Sequence, residues 1–236
     1  MVRRTCIAAV LLGACAADTA ANADAATTWS PLAADEQFDG KPLEDWAIAW
    51  RRWAYSQTDC EQDTRFDETG ALCALHQADD APVFFFDRGP PGTLRNECQV
   101  PPDRAIVVPI AMYSIDNAGV SNALSDEELS DAATGAVMSV RDMVFEVDGK
   151  RILDLDRRRF GPTRTSYYIP NAPNWYSCRM ADGIADTTVE PVYLSGVLAV
   201  LPPPSVGSHV VRYGSTLTLR NGDPSRSEVT VQFHIE

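Results

Sequence analysis

The stretch Glu228-Val229-Thr230-Val231-Gln232-Phe233-His234-Ile235 alternates polar and apolar residues without a break. Successive side chains of a strand point to opposite faces, so Val229, Val231, Phe233 and Ile235 share one face and Thr230, Gln232 and His234 the other. This reads as a half-buried antiparallel strand with a wet outer face. Upstream, Tyr193–Leu201, Ser208–Tyr213 and Thr216–Arg220 read as strands, with a Pro202-Pro203-Pro204 bend after the first. Val137–Val147 and Lys150–Leu155 flank Asp148-Gly149, a dipeptide that suits the φ > 0 positions of a two-residue hairpin turn. Pro82–Asp87, Thr93–Val100 and Arg104–Met112 add three shorter strands, punctuated by Arg88-Gly89-Pro90-Pro91-Gly92 and Pro101-Pro102-Asp103. Residues 156–190, rich in Arg, Tyr and Pro, carry no clear period and read as irregular.

Two helices stand apart from this pattern. Trp46, Trp50 and Trp53 fall at i, i+4 and i+7 behind Pro42-Leu43-Glu44-Asp45, so they form one face of a helix. Such a stripe either docks on a sheet or lines a sugar-stacking platform, since indole faces pack on pyranose rings; docking is the commoner outcome for so much aromatic area. Ser125-Asp126-Glu127-Glu128 has the form of a capping box and predicts a helix of about eight residues, stopped near Gly135. The expected fold is mainly β: an antiparallel β-sandwich, immunoglobulin-like over 136–236, with an N-terminal Trp-rich helix and a short second helix. Residues 36–135 form the preceding part, packed as one unit with it.

The N-terminus reads as a targeting segment. Met1-Val2-Arg3-Arg4 is a positive n-region, and Thr5–Ala14 is a ten-residue apolar run, half of the roughly 20 residues that a membrane span needs. Leu12-Gly13-Ala14-Cys15 has the form of a bacterial lipobox, with residues 1–15 as signal, lipid on Cys15 and a flexible tether over 16–35. Cleavage after Ala23 or Ala25, where small-x-small patterns end, is the alternative and leads to free secretion. The expected location is the periplasm or outer membrane, with the bilayer reached through a lipid anchor alone.

Charge narrows the partners. The chain carries a net −13 and becomes more acidic once Arg3 and Arg4 are removed, which repels phosphate backbones and argues against nucleic acid. The four cysteines left after the signal, Cys60, Cys73, Cys98 and Cys178, include no CxxC pair, and in an exported chain they read as two disulfides with three possible pairings. With only His76, His209 and His234 beside them in unpaired spacing, a zinc site is not expected, and neither is any cofactor. Asp59, Glu61 and Asp63 alternate as in a calcium loop, but Thr64 and Gly70 stand where an EF-hand needs Gly and Glu.

Asp67-x-Thr69-Gly70-x-x-Cys73, Pro82-Val83-Phe84-Phe85, Arg95-x-x-Cys98-x-Val100-Pro101, Glu127-Glu128-Leu129, Val147-Asp148-Gly149 and Gly207-Ser208-His209 recur in one order along the chain. That set resembles a widespread group of uncharacterised secreted bacterial proteins over nearly the whole mature length. It departs from the group by one extra residue between Arg95 and Cys98, and by having Cys60 and Cys178. The resemblance implies a shared Cys73–Cys98 bridge and a Cys60–Cys178 bridge particular to this chain. It implies no activity.

No catalytic motif is present: there is no G-x-S-x-G, H-E-x-x-H, S-x-x-K, G-x-G-x-x-G or P-loop. His209, beside Gly207 and Ser208, is the best single candidate for a special role, against a plain hydrogen-bonded strand histidine. Asp154 with Asp156, and Arg157-Arg158-Arg159, could serve glycoside chemistry or clamp an anion, but in so charged a chain they fit structural pairing as well. The reading is thus a non-enzymatic binding or envelope module for a protein or glycan, with Trp46, Trp50, Trp53 and His209 as candidate binding residues. A secreted hydrolase of unfamiliar type, using His209 or an acidic pair, is the alternative.

Overall fold

A computed structural model describes residues 29–87, 91–119, 121–174, 177–178, 184–218 and 223–236. The N-terminal segment read as a targeting signal, Cys15 included, lies outside these residues. Two sheets pack face to face. Sheet 1 has the order β1 (Val83–Phe85), β3 (Ala105–Asp116), β7 (Thr187–Leu201), β6 (Arg159–Ile169). Sheet 2 has the order β2 (Leu94–Val100), β9 (Pro224–Ile235), β8 (Gly207–Thr218), β4 (Arg141–Val147), β5 (Lys150–Arg151). Both sheets mix strands from either side of residue 136.

The alternating strand is β9, with Val229, Val231, Phe233 and Ile235 buried. They meet Val211 and Tyr213 of β8, Ile106 and Val108 of β3, and Val197, Ala199 and Leu201 of β7 in one core between the sheets. Sheet 1 is buried on its other face as well, where helix α1 (Leu43–Tyr55) lies on Val107, Leu198, Val200 and Tyr167. Helix α2 (Asp126–Met138) covers the far half of the inner face, which sheet 2 does not reach. Leu129 and Ala133 pack on Tyr193 there, and the Ser195 hydroxyl donates to the Ala133 carbonyl at 2.7 Å.

Several boundaries differ from the sequence reading, each for a local reason. Helix α2 does not stop at Gly135. A glycine there costs about 1 kcal/mol relative to alanine, but the next turn buries Val137, and the helix ends at Ser139, whose hydroxyl donates to the Ala136 carbonyl. Strand β4 accordingly begins at Arg141, not at Val137. The Asp148-Gly149 hairpin is present, pairing Val147 with Lys150, but β5 has two residues and leads into a 3-10 turn over Leu155–Arg158.

The segment read as irregular contains β6 and the start of β7. Strand β6 is hidden in the sequence because Gly161-Pro162 interrupts it at a bulge. Gly161 has φ +85, and a Cβ there would lie 2.3 Å from the Leu194 carbonyl oxygen, so the close crossing of β6 over β7 needs glycine. The two short strands read over 208–220 are one strand, β8, running through Gly214. Both sheets are mixed: β1–β3 and β2–β9 pair in parallel while the other pairs are antiparallel. The folded part also begins earlier than 36. Trp29 is buried with its indole N–H donating to Pro202 O at 2.7 Å, and Leu32 N–H donates to Val200 O.

The disulfides are Cys60–Cys178 and Cys73–Cys98, the pairing that the resemblance implies. Each contributes about 2–4 kcal/mol by restricting the unfolded chain. Two disulfides fit a chain that resides in an oxidising, exported environment. Among the described residues no helix is long and apolar enough to cross a membrane.

The weight carried by the α1 layer can be measured. Trp50→Ala removes a buried indole and orphans the Phe86 carbonyl, so stability should fall by about 3–5 kcal/mol in urea melts of the oxidised protein. A loss below about 1 kcal/mol would mean that α1 is not docked as described.

Candidate functional site

The three candidate tryptophans do not line a platform. Trp46, Trp50 and Trp53 are 3%, 4% and 8% exposed, and their indole N–H groups donate to the carbonyls of Phe38, Phe86 and His76. Burial is favoured because each ring finds an apolar floor on sheet 1 and each N–H a fixed acceptor. Their faces are covered by the fold, so they are not available to a sugar.

His209 points inward from β8 at the end of the sandwich, where Trp29 closes over it at 4.7 Å between ring centroids. Its Nδ1 lies 2.7 Å from Asp148 Oδ2, so this nitrogen carries a proton and donates. Asp148 occupies the first turn position of the hairpin at φ +49, and its other oxygen accepts from Val210 N–H at 2.8 Å. Nε2 of His209 lies 3.2 Å from Ser205 Oγ and 3.0 Å from the Ser205 carbonyl oxygen. One imidazole thus ties the β4–β5 hairpin, the bend before β8 and Trp29 together.

Ser205, His209 and Asp148 follow the nucleophile–base–carboxylate order of a hydrolase. An active site also needs a pocket and donors for a developing oxyanion. Among the described residues, three clefts are lined by neither Ser205 nor His209. The largest, about 600 Å³, opens beside β2 and β9 and includes His234, Glu97 and Gln99. His234 Nε2 donates to Asn96 O at 2.7 Å and its Nδ1 faces Ser208 Oγ at 3.1 Å, so this histidine too is held on both sides. Among the described residues no group of three or more His, Cys, Asp or Glu side chains is placed to hold a metal ion. In the acidic loop Asp59 caps its own turn through Glu61 N–H and Gln62 N–H, and Asp63 binds Arg65.

The motif residues Asp67, Gly70, Cys73, Arg95 and Cys98 have a structural explanation. Asp67 Oδ1 accepts from the amides of Thr69 and Gly70, and Oδ2 accepts from Leu72 N–H and from Arg95 Nη2 at 2.9 Å. Arg95 is fully buried. It also donates to the carbonyls of Thr64 and Asp87, and its guanidinium lies over Phe86 at 4.9 Å. Gly70, at φ +94, leaves room for Cys98, whose amide would lie 3.2 Å from an added Cβ. The aspartate turn, the buried ion pair and the Cys73–Cys98 bridge therefore form one knot that fastens residues 64–73 to β2. Sequence reading noted these residues as a pattern but missed the role of Arg95, because nothing in a sequence distinguishes a fully buried arginine from a surface one.

Among the arginines in tandem, Arg158 is buried against Asp154, and Arg159 pairs with Asp156 while donating to the carbonyls of Val137, in the last turn of α2, and of Val140, just beyond it. No protein-family model, curated protein or solved structure matches the chain.

Burial alone would raise the Asp67 carboxyl, but the amides of Gly70 and Leu72 and the Arg95 guanidinium outweigh it and hold its pKa below the usual value. A depressed carboxylate pKa stabilises the fold above the unfolded value, near pH 4, and this contribution is lost as pH falls through the folded value. Asp67→Asn leaves the buried Arg95 charge uncompensated and should cost about 3–5 kcal/mol at pH 7. The loss should be smaller in urea melts at strongly acid pH, once the wild-type carboxyl is itself being protonated, than at pH 7. An equal loss at both pH values would contradict the ion-pair account. His209→Ala should cost about 1–3 kcal/mol by leaving Asp148 and Trp29 without their partner.

Proposed function

We propose that this protein is an exported envelope module that binds a protein or glycan without catalysis and is tethered to a bacterial membrane by lipid on Cys15. The observation that carries the reading is where its reactive side chains lie. Both histidines of β8 and β9 are bonded on two sides, the tryptophan stripe is covered, and the four cysteines after the signal are oxidised. The two disulfides fit an exported domain, and the acidic charge disfavours nucleic acid and bare anionic lipid as partners.

Sheet 2 supports a binding role. No described helix packs on its outer face, which presents the Arg226, Glu228, Arg212 and Glu146 ladder together with Thr230 and Gln232. The tether accounts for placement. Cys15 and Trp29 are 14 residues apart, so the domain can sit up to about 50 Å from a bilayer. Trp29 joins the fold at the His209 end, which is then the membrane-proximal end.

The hydrolase reading keeps one supporting observation, the Ser205–His209–Asp148 alignment. A fluorophosphonate probe separates the two: the binding reading expects no adduct on Ser205, and stoichiometric labelling abolished by His209→Ala would replace it with hydrolysis. For the anchor, Cys15→Ser should move the protein from the membrane fraction to the soluble periplasmic or secreted fraction. Retention in the membrane fraction would overturn lipidation at Cys15.

A further inference from the structure

A second cleft, of about 330 Å³, lies between the C-terminal end of α2, the start of β4 and the chain after β5. Arg141, Arg151 and Arg159 line it. Two of these cations are locked in place by backbone carbonyls at and just beyond the end of α2: Arg141 donates to Met138 and Val140, and Arg159 to Val137 and Val140. Arg159 is further neutralised by Asp156. The Arg151 guanidinium has no partner among the described residues, and the Nε and Nη2 groups of Arg141 are also unused.

The surrounding charge is unusual for this molecule. Residues 141–159 carry six cationic and five anionic side chains, in a chain whose total is −13. The chain as a whole repels anions, whereas here an anion meets guanidinium donors suited to bidentate contacts with a carboxylate or phosphate.

The rest of the wall specifies more than an anion. Asp142 stands at φ +49 in the bulge between Arg141 and Val144, and it lines the cleft with a carboxylate that takes only donors. A bare anion gains nothing from it, but a ligand with hydroxyl groups beside its anionic group does. Met143 and Ile152 form an apolar floor and Leu153, 84% exposed, an apolar lip, which suits the C–H face of a pyranose ring. A volume near 330 Å³ is at the small end for ligand sites and fits one or two rings.

We infer that this cleft binds an anionic sugar, a uronate or phosphorylated residue of a glycan, with Arg141 and Arg151 on the anionic group and Asp142 on an adjacent hydroxyl. The inference rests on the glycan-binding form of the function proposed above and names its ligand class. It does not depend on the anchor, so it is tested with oxidised Cys15→Ser protein in solution.

Titration calorimetry and amide chemical-shift mapping with galacturonate, glucose 6-phosphate, glucose and inorganic phosphate provide the test. At least one of the two anionic sugars should bind saturably, with shifts centred on residues 140–143 and 151–153, while glucose does not and inorganic phosphate binds more weakly. Arg151→Ala should weaken the sugar by about tenfold or more, the loss of one charge-assisted contact, with an unchanged melting temperature because the Arg151 guanidinium has no partner among the described residues. Asp142→Asn should weaken the sugar and leave inorganic phosphate unaffected. Equal affinity for inorganic phosphate, binding of glucose as tight as that of its phosphate, no binding of either anionic sugar, or full affinity in Arg151→Ala would each overturn the proposal.

Discussion

Sheet 1 is covered on both faces, and the remainder of the molecule is arranged to meet that demand. Ten consecutive residues of β7, Val192–Leu201, are buried, so neither side of the strand tolerates water. A sheet of this kind is stable only as the middle of three layers. The outer cover is α1 with its three tryptophans. The inner cover is composite, sheet 2 over the Leu201 end and α2 over the Tyr193 end. Sheet 2 has the opposite character, with one buried face and one wet one, which is why β9 alternates and β7 does not.

The ends of this stack need closing, and polar side chains do it. At one end His209 joins Asp148, Ser205 and Trp29. At the flank of β2, Asp67 and Arg95 hold a buried ion pair inside a ring of backbone amides and carbonyls. Such groups are costly to bury without partners, and the bonds they make favour one arrangement of the chain. Residue types that suggest chemistry in a sequence, such as histidine, paired acids and tryptophan, are here used to hold layers together. The cations of the β4–β5 edge are the exception, since Arg151 has no partner among the described residues and lines a cleft.

Much of the fold was legible where a single physical rule governs the residues. Alternation exposed β9, the i, i+4, i+7 tryptophans exposed α1, the capping box exposed the start of α2, and Asp-Gly exposed the β4–β5 hairpin. What stayed hidden was decided by tertiary contact. Strand β6 is broken by Gly161-Pro162 because of its crossing with β7, and α2 outruns Gly135 because Val137 has a core to enter. Of the candidate site residues, sequence reading identified His209 but had no means to supply Ser205 or Trp29, which only the bend before β8 and the entry of the chain bring beside it. It named the arginine run at 157–159 while the cleft draws on Arg141, Arg151 and Arg159 from three separate elements.

The account stands on the twice-buried sheet, and native-state hydrogen exchange followed residue by residue on the oxidised protein tests that most directly. Amides of β3 and β7 should exchange last, and only through global unfolding, with α2, β4 and β5 opening earlier and independently. Exchange of the β7 amides through a local opening, while β8 and β9 remain protected, would show that sheet 2 is the true centre and contradict the account.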